Sequence, residues 1–110
     1  MVLEKILEKH VKTFLDIVVL ALLNGKPMYG YRVIGAVHKE FGVLLSPGSL
    51  YPLLHFLERN GLIASSFCKG KIVYQTTHTG KVKFEKTFVA YKQSIQRMEK
   101  FIQFHGVVSH

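Results

Sequence analysis

SPGSLYPLLHFLERNGLI, residues 46–63, reads as a short helix with a marked start, a divided surface and a marked stop. Ser46 suits the N-cap, where its hydroxyl accepts a backbone N–H, and Pro47 suits the first helical position, where no N–H is needed. Leu50, Leu53, Leu54 and Leu57 recur at i, i+3, i+4 and i+7, which makes one buried stripe. Ser49, Tyr51, His55 and Arg59 occupy the other side, and Asn60-Gly61 closes the helix with residues that tolerate positive φ. Hydroxyl, phenol, imidazole and guanidinium groups on one face can read base edges, but any solvated helix face carries the same groups. The neighbouring segments therefore decide. Pro52 crowds the carbonyl of Gly48 and removes a hydrogen bond, which predicts either a helix that properly begins near Gly48 or Ser49 or a distorted first turn.

Upstream, residues 3–23 read as one long helix with Leu3, Leu7, His10, Phe14, Ile17 and Ala21 as its stripe, closed by Asn24-Gly25 and followed by Pro27. Residues 28–41 read as a second helix whose core stripe is Gly30, Ile34, Val37 and Phe41, with Gly42 as its C-cap. A short apolar connection, Val43–Leu45, joins it to the helix of residues 46–63. Two helices linked by a tight turn, the second with a polar outer face, form a helix-turn-helix. Downstream the period changes to two. Ile63, Ser65 and Phe67 alternate, as do Ile72, Tyr74 and Thr76, on either side of Lys69-Gly70-Lys71. That pattern predicts a β-hairpin with a tight basic tip, and hence a winged helix, with Lys69 and Lys71 set to meet phosphates or a minor groove.

Residues 78–105 read as a final helix capped by Thr77 or Thr79. Phe84, Phe88, Tyr91, Ile95, Met98 and Ile102 alternate in steps of four and three, an a/d seam that predicts packing on a second copy. The alternative folds this helix back on its own domain. The expected fold class is mainly α with a small β-hairpin, a winged helix-turn-helix over residues 1–80 and a dimerisation helix over 81–110.

Composition sets the boundaries. The 110-residue chain has 15 Lys+Arg against 7 Asp+Glu, a net charge of +8, which points to a polyanionic partner such as DNA. Its one cysteine, Cys68, forms no internal disulfide and fits a reducing compartment. The apolar run Phe14–Leu23 is too short to span a bilayer and contains Asp16, and the first residues lack a signal-peptide pattern, so no membrane association and a cytoplasmic location are expected. The six histidines, His10, His38, His55, His78, His105 and His110, show no metal-ligand spacing. His10 and His105 fall on seam positions, where they could meet across a dimer. Ser46 and Ser49 have no His/Asp set at nucleophile spacing, and no phosphate-cradling glycine loop occurs. No enzyme activity, metal or cofactor is expected.

With these pieces placed, the chain resembles the PadR-like family of winged-helix transcriptional regulators. The resemblance rests on Asn24–Tyr31 (NGKPMYGY), Ser46–Leu54 (SPGSLYPLL), Leu57–Ile63 (LERNGLI) and Tyr74 followed by Thr77–Gly80 (THTG). It implies a homodimer that binds double-stranded DNA through the third helix and the wing, dimerised through the C-terminal helix with help from the N-terminal one, the single C-terminal helix being like that of the family's shorter members. Carried onto this chain, the resemblance assigns DNA contacts to Tyr29, Ser46, Gly48, Ser49, Tyr51 and the wing lysines Lys69 and Lys71. The helical face itself adds His55 and Arg59. The chain departs from the family pattern in having Ile72-Val73 where basic residues usually precede the wing tyrosine, and in having no Trp to stack a ligand at the dimer interface. Repression of a pseudo-palindromic operator is the leading expectation. A small-molecule effector between the C-terminal helices, or a protein-interaction or architectural role for the same fold, are the alternatives.

Overall fold

The computed structural model describes residues 1–107; His110 and its two predecessors lie outside the described residues. The order of elements is α1 (Val2–Thr13), α2 (Leu15–Gly25), β1 (Met28–Tyr29), α3 (Gly30–Phe41), α4 (Pro47–Arg59), β2 (Ile63–Cys68), β3 (Lys71–Thr76) and α5 (His78–Ile102), which runs into a π-helical turn, Gln103–Val107. The three strands form one antiparallel sheet in the order β1-β3-β2. The core gathers Val11, Leu15, Val19, Leu20 and Leu23 of the first two helices, Val33 and Val37 of α3, Leu50, Leu54 and Leu57 of α4, and Ile63 and Tyr74 of the sheet. Among the described residues no helix is long and apolar enough to cross a membrane.

The leucine stripe of α4 lies where the heptad-like spacing puts it. Leu50, Leu54 and Leu57 are buried and Leu53 packs against them. The helix starts where Ser46 and Pro47 signal it and not later, as Pro52 suggests: α4 begins at Pro47, and the Ser46 hydroxyl accepts the Ser49 N–H at 3.1 Å. Pro52 does not push the start inward, because Gly48 and Pro52 are both exposed and the carbonyl left without a partner is open to water. At the other end Gly61 adopts φ +73, its N–H bonds the Glu58 carbonyl at 3.0 Å, and the Leu62 N–H bonds the Leu57 carbonyl at 2.9 Å. These two bonds are those of a Schellman motif, which turns the chain directly into the wing.

The expected first helix is two helices. At Phe14 the backbone leaves the helical region (φ −101, ψ 20), and the Asp16 carboxylate accepts the Ile17 N–H at 2.8 Å, standing in for an intrahelical bond. The break shifts the buried face. Leu3 and Ala21 of the expected stripe are exposed, and Val11, Leu15, Val19 and Leu23 are buried in their place. The expected second helix also starts later, since Met28 and Tyr29 form β1, paired with Tyr74 and Val73.

The wing is a tight hairpin. Cys68 pairs with Lys71, and Lys69 and Gly70 between them both have positive φ (50 and 78), the requirement of a two-residue type I′ turn. Thr77 then fastens three elements. Its N–H bonds the Leu62 carbonyl at 3.0 Å, its hydroxyl donates to the Gly61 carbonyl at 2.7 Å, and the same oxygen caps α5 by accepting the Gly80 N–H at 2.9 Å. Gly80 is buried, and a Cβ there would run into the Leu62 carbonyl and the Thr76 methyl. Gly80→Ala should therefore lower the unfolding free energy by about 1–3 kcal/mol in urea titration, as overpacking against backbone does; an unchanged midpoint would contradict this close approach.

Candidate nucleic-acid interface

Burial of the leucine stripe fixes which side of α4 remains available. Ser46, Gly48, Ser49, His55 and Arg59 are exposed. Ser46 and Ser49 also share a hydroxyl–hydroxyl bond of 3.0 Å, so both oxygens sit at the positive end of the helix dipole. Tyr51 differs from these five: it is half-buried, and its hydroxyl end lies over Gly30, where any Cβ would strike it. Gly30 is thus needed for close approach of α3 to the Tyr51 ring. Phe56, on the same outer surface, is half exposed.

The wing is set against α4 by a hydrogen bond from the Ser65 hydroxyl to the Glu58 carboxylate at 2.5 Å. Lys69 is exposed at the tip. Lys71 is also exposed, but it is not a free wing lysine. Its ammonium lies 4.9 Å from the centre of the Tyr29 ring and 5.4 Å from that of Tyr31, and it reaches the Tyr31 hydroxyl at 3.4 Å. Tyr29 and Tyr31 are themselves stacked, 5.4 Å apart and 19° from parallel. With Gly30, Tyr51, Ile72 and Tyr74, these residues line an open cavity of about 240 Å³ between the wing and α4. Burial, together with Glu58 and Tyr51, holds the Tyr74 phenol above the usual tyrosine range, so it stays protonated.

Sequence pattern alone does not single out Tyr31, because it places residues 28–41 in one helix, where positions two apart face different ways. In the fold Tyr29 ends a strand and Tyr31 lies in the first turn of a helix. Continuing the Tyr29–Val73 register by two residues sets Tyr31 opposite Lys71.

The apolar seam of α5 is divided by its contacts. Phe84 packs against the core, and Tyr91 donates to both carboxylate oxygens of Asp16 at 3.1 Å while its ring lies 4.7 Å from Phe14. Burial first, then Asp16, raises the Tyr91 pKa above the usual value, which keeps this donor protonated. These two seam residues, together with α2, accordingly fold the first half of α5 onto its own chain. Phe88 remains half exposed, and Ile95 (48 %), Met98 (60 %) and Ile102 (57 %) are open to solvent, as are Val89, Phe101 and Phe104. At the far end His105 packs on Phe101 (4.5 Å) and Phe104 (5.0 Å), and His10 lies 6.0 Å from Phe14. Among the described residues no three His, Cys, Asp or Glu side chains come together as metal ligands.

The helix pair α3 and α4, with the polar face of α4 outward and the β2–β3 wing beside it, is the arrangement of the winged-helix class. The family model described as "Transcriptional regulator PadR-like family" matches residues 19–86, and the chain belongs to that family. Members of the family are transcriptional regulators that bind DNA, not enzymes. Comparison with curated proteins gives no significant match. Among solved structures the chain is similar to a PadR family transcriptional regulator from Eggerthella lenta DSM 2243, with a TM-score of 0.82 and 24% identity over 93% of each chain. It is also similar to a transcriptional regulator from Clostridium thermocellum, with a TM-score of 0.79 and 20% identity over 86% of this chain and 95% of that one. A PadR-like regulator from Bacillus cereus gives 0.76 and 21% over 86% and 97%. At these identities the likeness is one of fold.

Ser46 links the cap to the outer face, so the effect of removing it should be measurable without DNA. Ser46→Ala should lower stability by about 0.5–2 kcal/mol, and Ser46→Gly by only a few tenths, in paired chemical-denaturation curves. Equal losses would show that the hydroxyl is not the cap.

Proposed function

We propose that the protein is a homodimeric, sequence-specific DNA-binding repressor that acts on a pseudo-palindromic operator. One observation carries this reading: α4 turns its leucine stripe inward, with Leu50, Leu54 and Leu57 buried and Leu53 partly so, and leaves Ser46, Gly48, Ser49, His55 and Arg59 outward, beside a wing whose tip is lysine. Tyr29, Ser46, Gly48 and Ser49 would hold phosphates at the edge of the groove, and His55 and Arg59 would reach base edges, while Tyr51, whose hydroxyl end lies over Gly30, would brace α4 from behind. Lys69 and Lys71 would supply wing contacts to flanking phosphates. In this reading residues 1–80 bind DNA and residues 81–110 join the copies. The support for dimerisation is the run Phe88, Ile95, Met98 and Ile102, left open along α5 after Phe84 and Tyr91 are used within the chain. Occlusion of a promoter is the simplest consequence of such a dimer on DNA, and repression follows from it. A second reading, an effector held between paired C-terminal helices, is favoured by the exposed rings of Phe88, Phe101 and Phe104. A thermal shift with planar aromatic cations would support it.

Selection of bound fragments from the source genome should return inverted half-sites whose centres lie about 34 Å apart; enrichment of no common sequence would favour an architectural role. On the selected duplex, Lys69→Ala should weaken binding to all sequences and flatten the slope of log K against log salt by about 0.9, the amount expected when one phosphate is no longer neutralised. An unchanged slope would remove the wing tip from the interface.

A further inference from the structure

We propose that Tyr31 is a positioning residue for Lys71: the stacked rings of Tyr29 and Tyr31 hold the Lys71 ammonium as a fixed charge at the mouth of the tyrosine-lined cavity, ready for a backbone phosphate. This assignment rests on the DNA-binding reading and separates the two wing lysines, which the sequence makes look equivalent. Lys69 sits in the turn, exposed. Lys71 is held before DNA arrives. Its ammonium lies 4.9 and 5.4 Å from the two ring centres and contacts the Tyr31 hydroxyl at 3.4 Å. A lysine side chain loses considerable rotamer freedom when it is fixed in a complex, and a residue that fixes it beforehand removes that cost from binding. The ring faces attract the ammonium without neutralising it, so its charge remains available to a phosphate.

The local fold shows how the arrangement arises. β1 is an edge strand only two residues long, and its antiparallel register with β3, Tyr29 opposite Val73, leads Tyr31 toward Lys71 as α3 begins. Gly30 between the two tyrosines has no Cβ, and the space is taken by the Tyr51 ring from α4. The clamp therefore joins the wing, the start of α3 and the recognition helix at one point. Tyr31 is more than half exposed, so truncating it removes the clamp without opening the core.

The test is a double-mutant cycle on a DNA duplex, read by fluorescence anisotropy over a salt series, with Tyr31→Ala, Tyr31→Phe, Lys71→Ala and the Tyr31→Ala/Lys71→Ala pair. Proton NMR of the free protein is run alongside. In the free wild type the Lys71 ε-methylene protons should be shifted upfield by the two rings, and Tyr31→Ala should move them back toward ordinary values. Tyr31→Ala should weaken DNA binding by about 3- to 10-fold with the salt slope unchanged, because the phosphate contact still forms. Lys71→Ala should flatten the slope by about 0.9. Adding Tyr31→Ala to Lys71→Ala should have no further effect, and Tyr31→Phe, which keeps the ring, should bind within about 2-fold of wild type. Additive losses would show that Tyr31 contacts DNA on its own account, and a Tyr31→Phe loss as large as that of Tyr31→Ala would show that the hydroxyl and not the ring matters; either would overturn the ring clamp. So would wild-type Lys71 protons at ordinary shifts. If those shifts are upfield but wild type binds duplex with no salt dependence, the DNA role is overturned while the clamp remains, which locates the failure in the DNA reading.

Discussion

The arrangement depends on the short junction at Gly61, Leu62, Thr77 and Gly80. The Leu62 carbonyl accepts the Thr77 N–H, the Gly61 carbonyl accepts the Thr77 hydroxyl, and Gly80 lies close enough to Leu62 that no side chain fits. Three elements end or begin there: α4 stops, the wing leaves and returns, and α5 starts. Each is short or half exposed, and none would hold its direction alone. Tied at one point, they keep a fixed relation between the outer face of α4 and the axis of α5. Because buried backbone groups must be paired, the junction is also an economical way to cross from sheet to helix without orphaned donors.

A second attachment lies about midway along α5. Asp16 takes the Ile17 N–H at the helix break and accepts the Tyr91 hydroxyl, while Phe14 lies against the Tyr91 ring. The break at Phe14 turns two helices in different directions and provides the carboxylate that receives α5. Beyond Tyr91 the apolar positions face solvent, and the chain extends 61 Å along its longest axis. A long apolar strip projecting from a small domain is unusual for a monomer. Held from two points on one side, it offers a partner a surface with a defined direction relative to α4.

Much of this was legible in the residues. The leucine spacing of α4, its Ser-Pro start and Asn-Gly stop, the alternation of the wing and its Lys-Gly turn are local signals, and local signals survive folding. Three features were not legible, and each depends on contacts distant in sequence. Nothing between Leu3 and Leu23 marks a break, because Phe14 and Asp16 are ordinary helix residues until Tyr91 arrives from α5. Met28 and Tyr29 carry too little sequence to signal a strand, and only pairing with β3 makes them one. The seam of α5 has one period throughout, yet Phe84 and Tyr91 turn inward and Ile95 onward turn out, since α2 covers only the first half. The same limit hid the role of Tyr31, whose partner Lys71 lies forty residues away.

The central claim is that one rigid frame sets two recognition helices a helical turn apart. Hydroxyl-radical footprinting of the wild-type protein on a selected genomic site tests it most directly. The account predicts two protected patches on one face of the duplex, about 34 Å apart, with weaker protection on either flank from the wings. A single protected patch, or two whose separation varies from site to site, would contradict it.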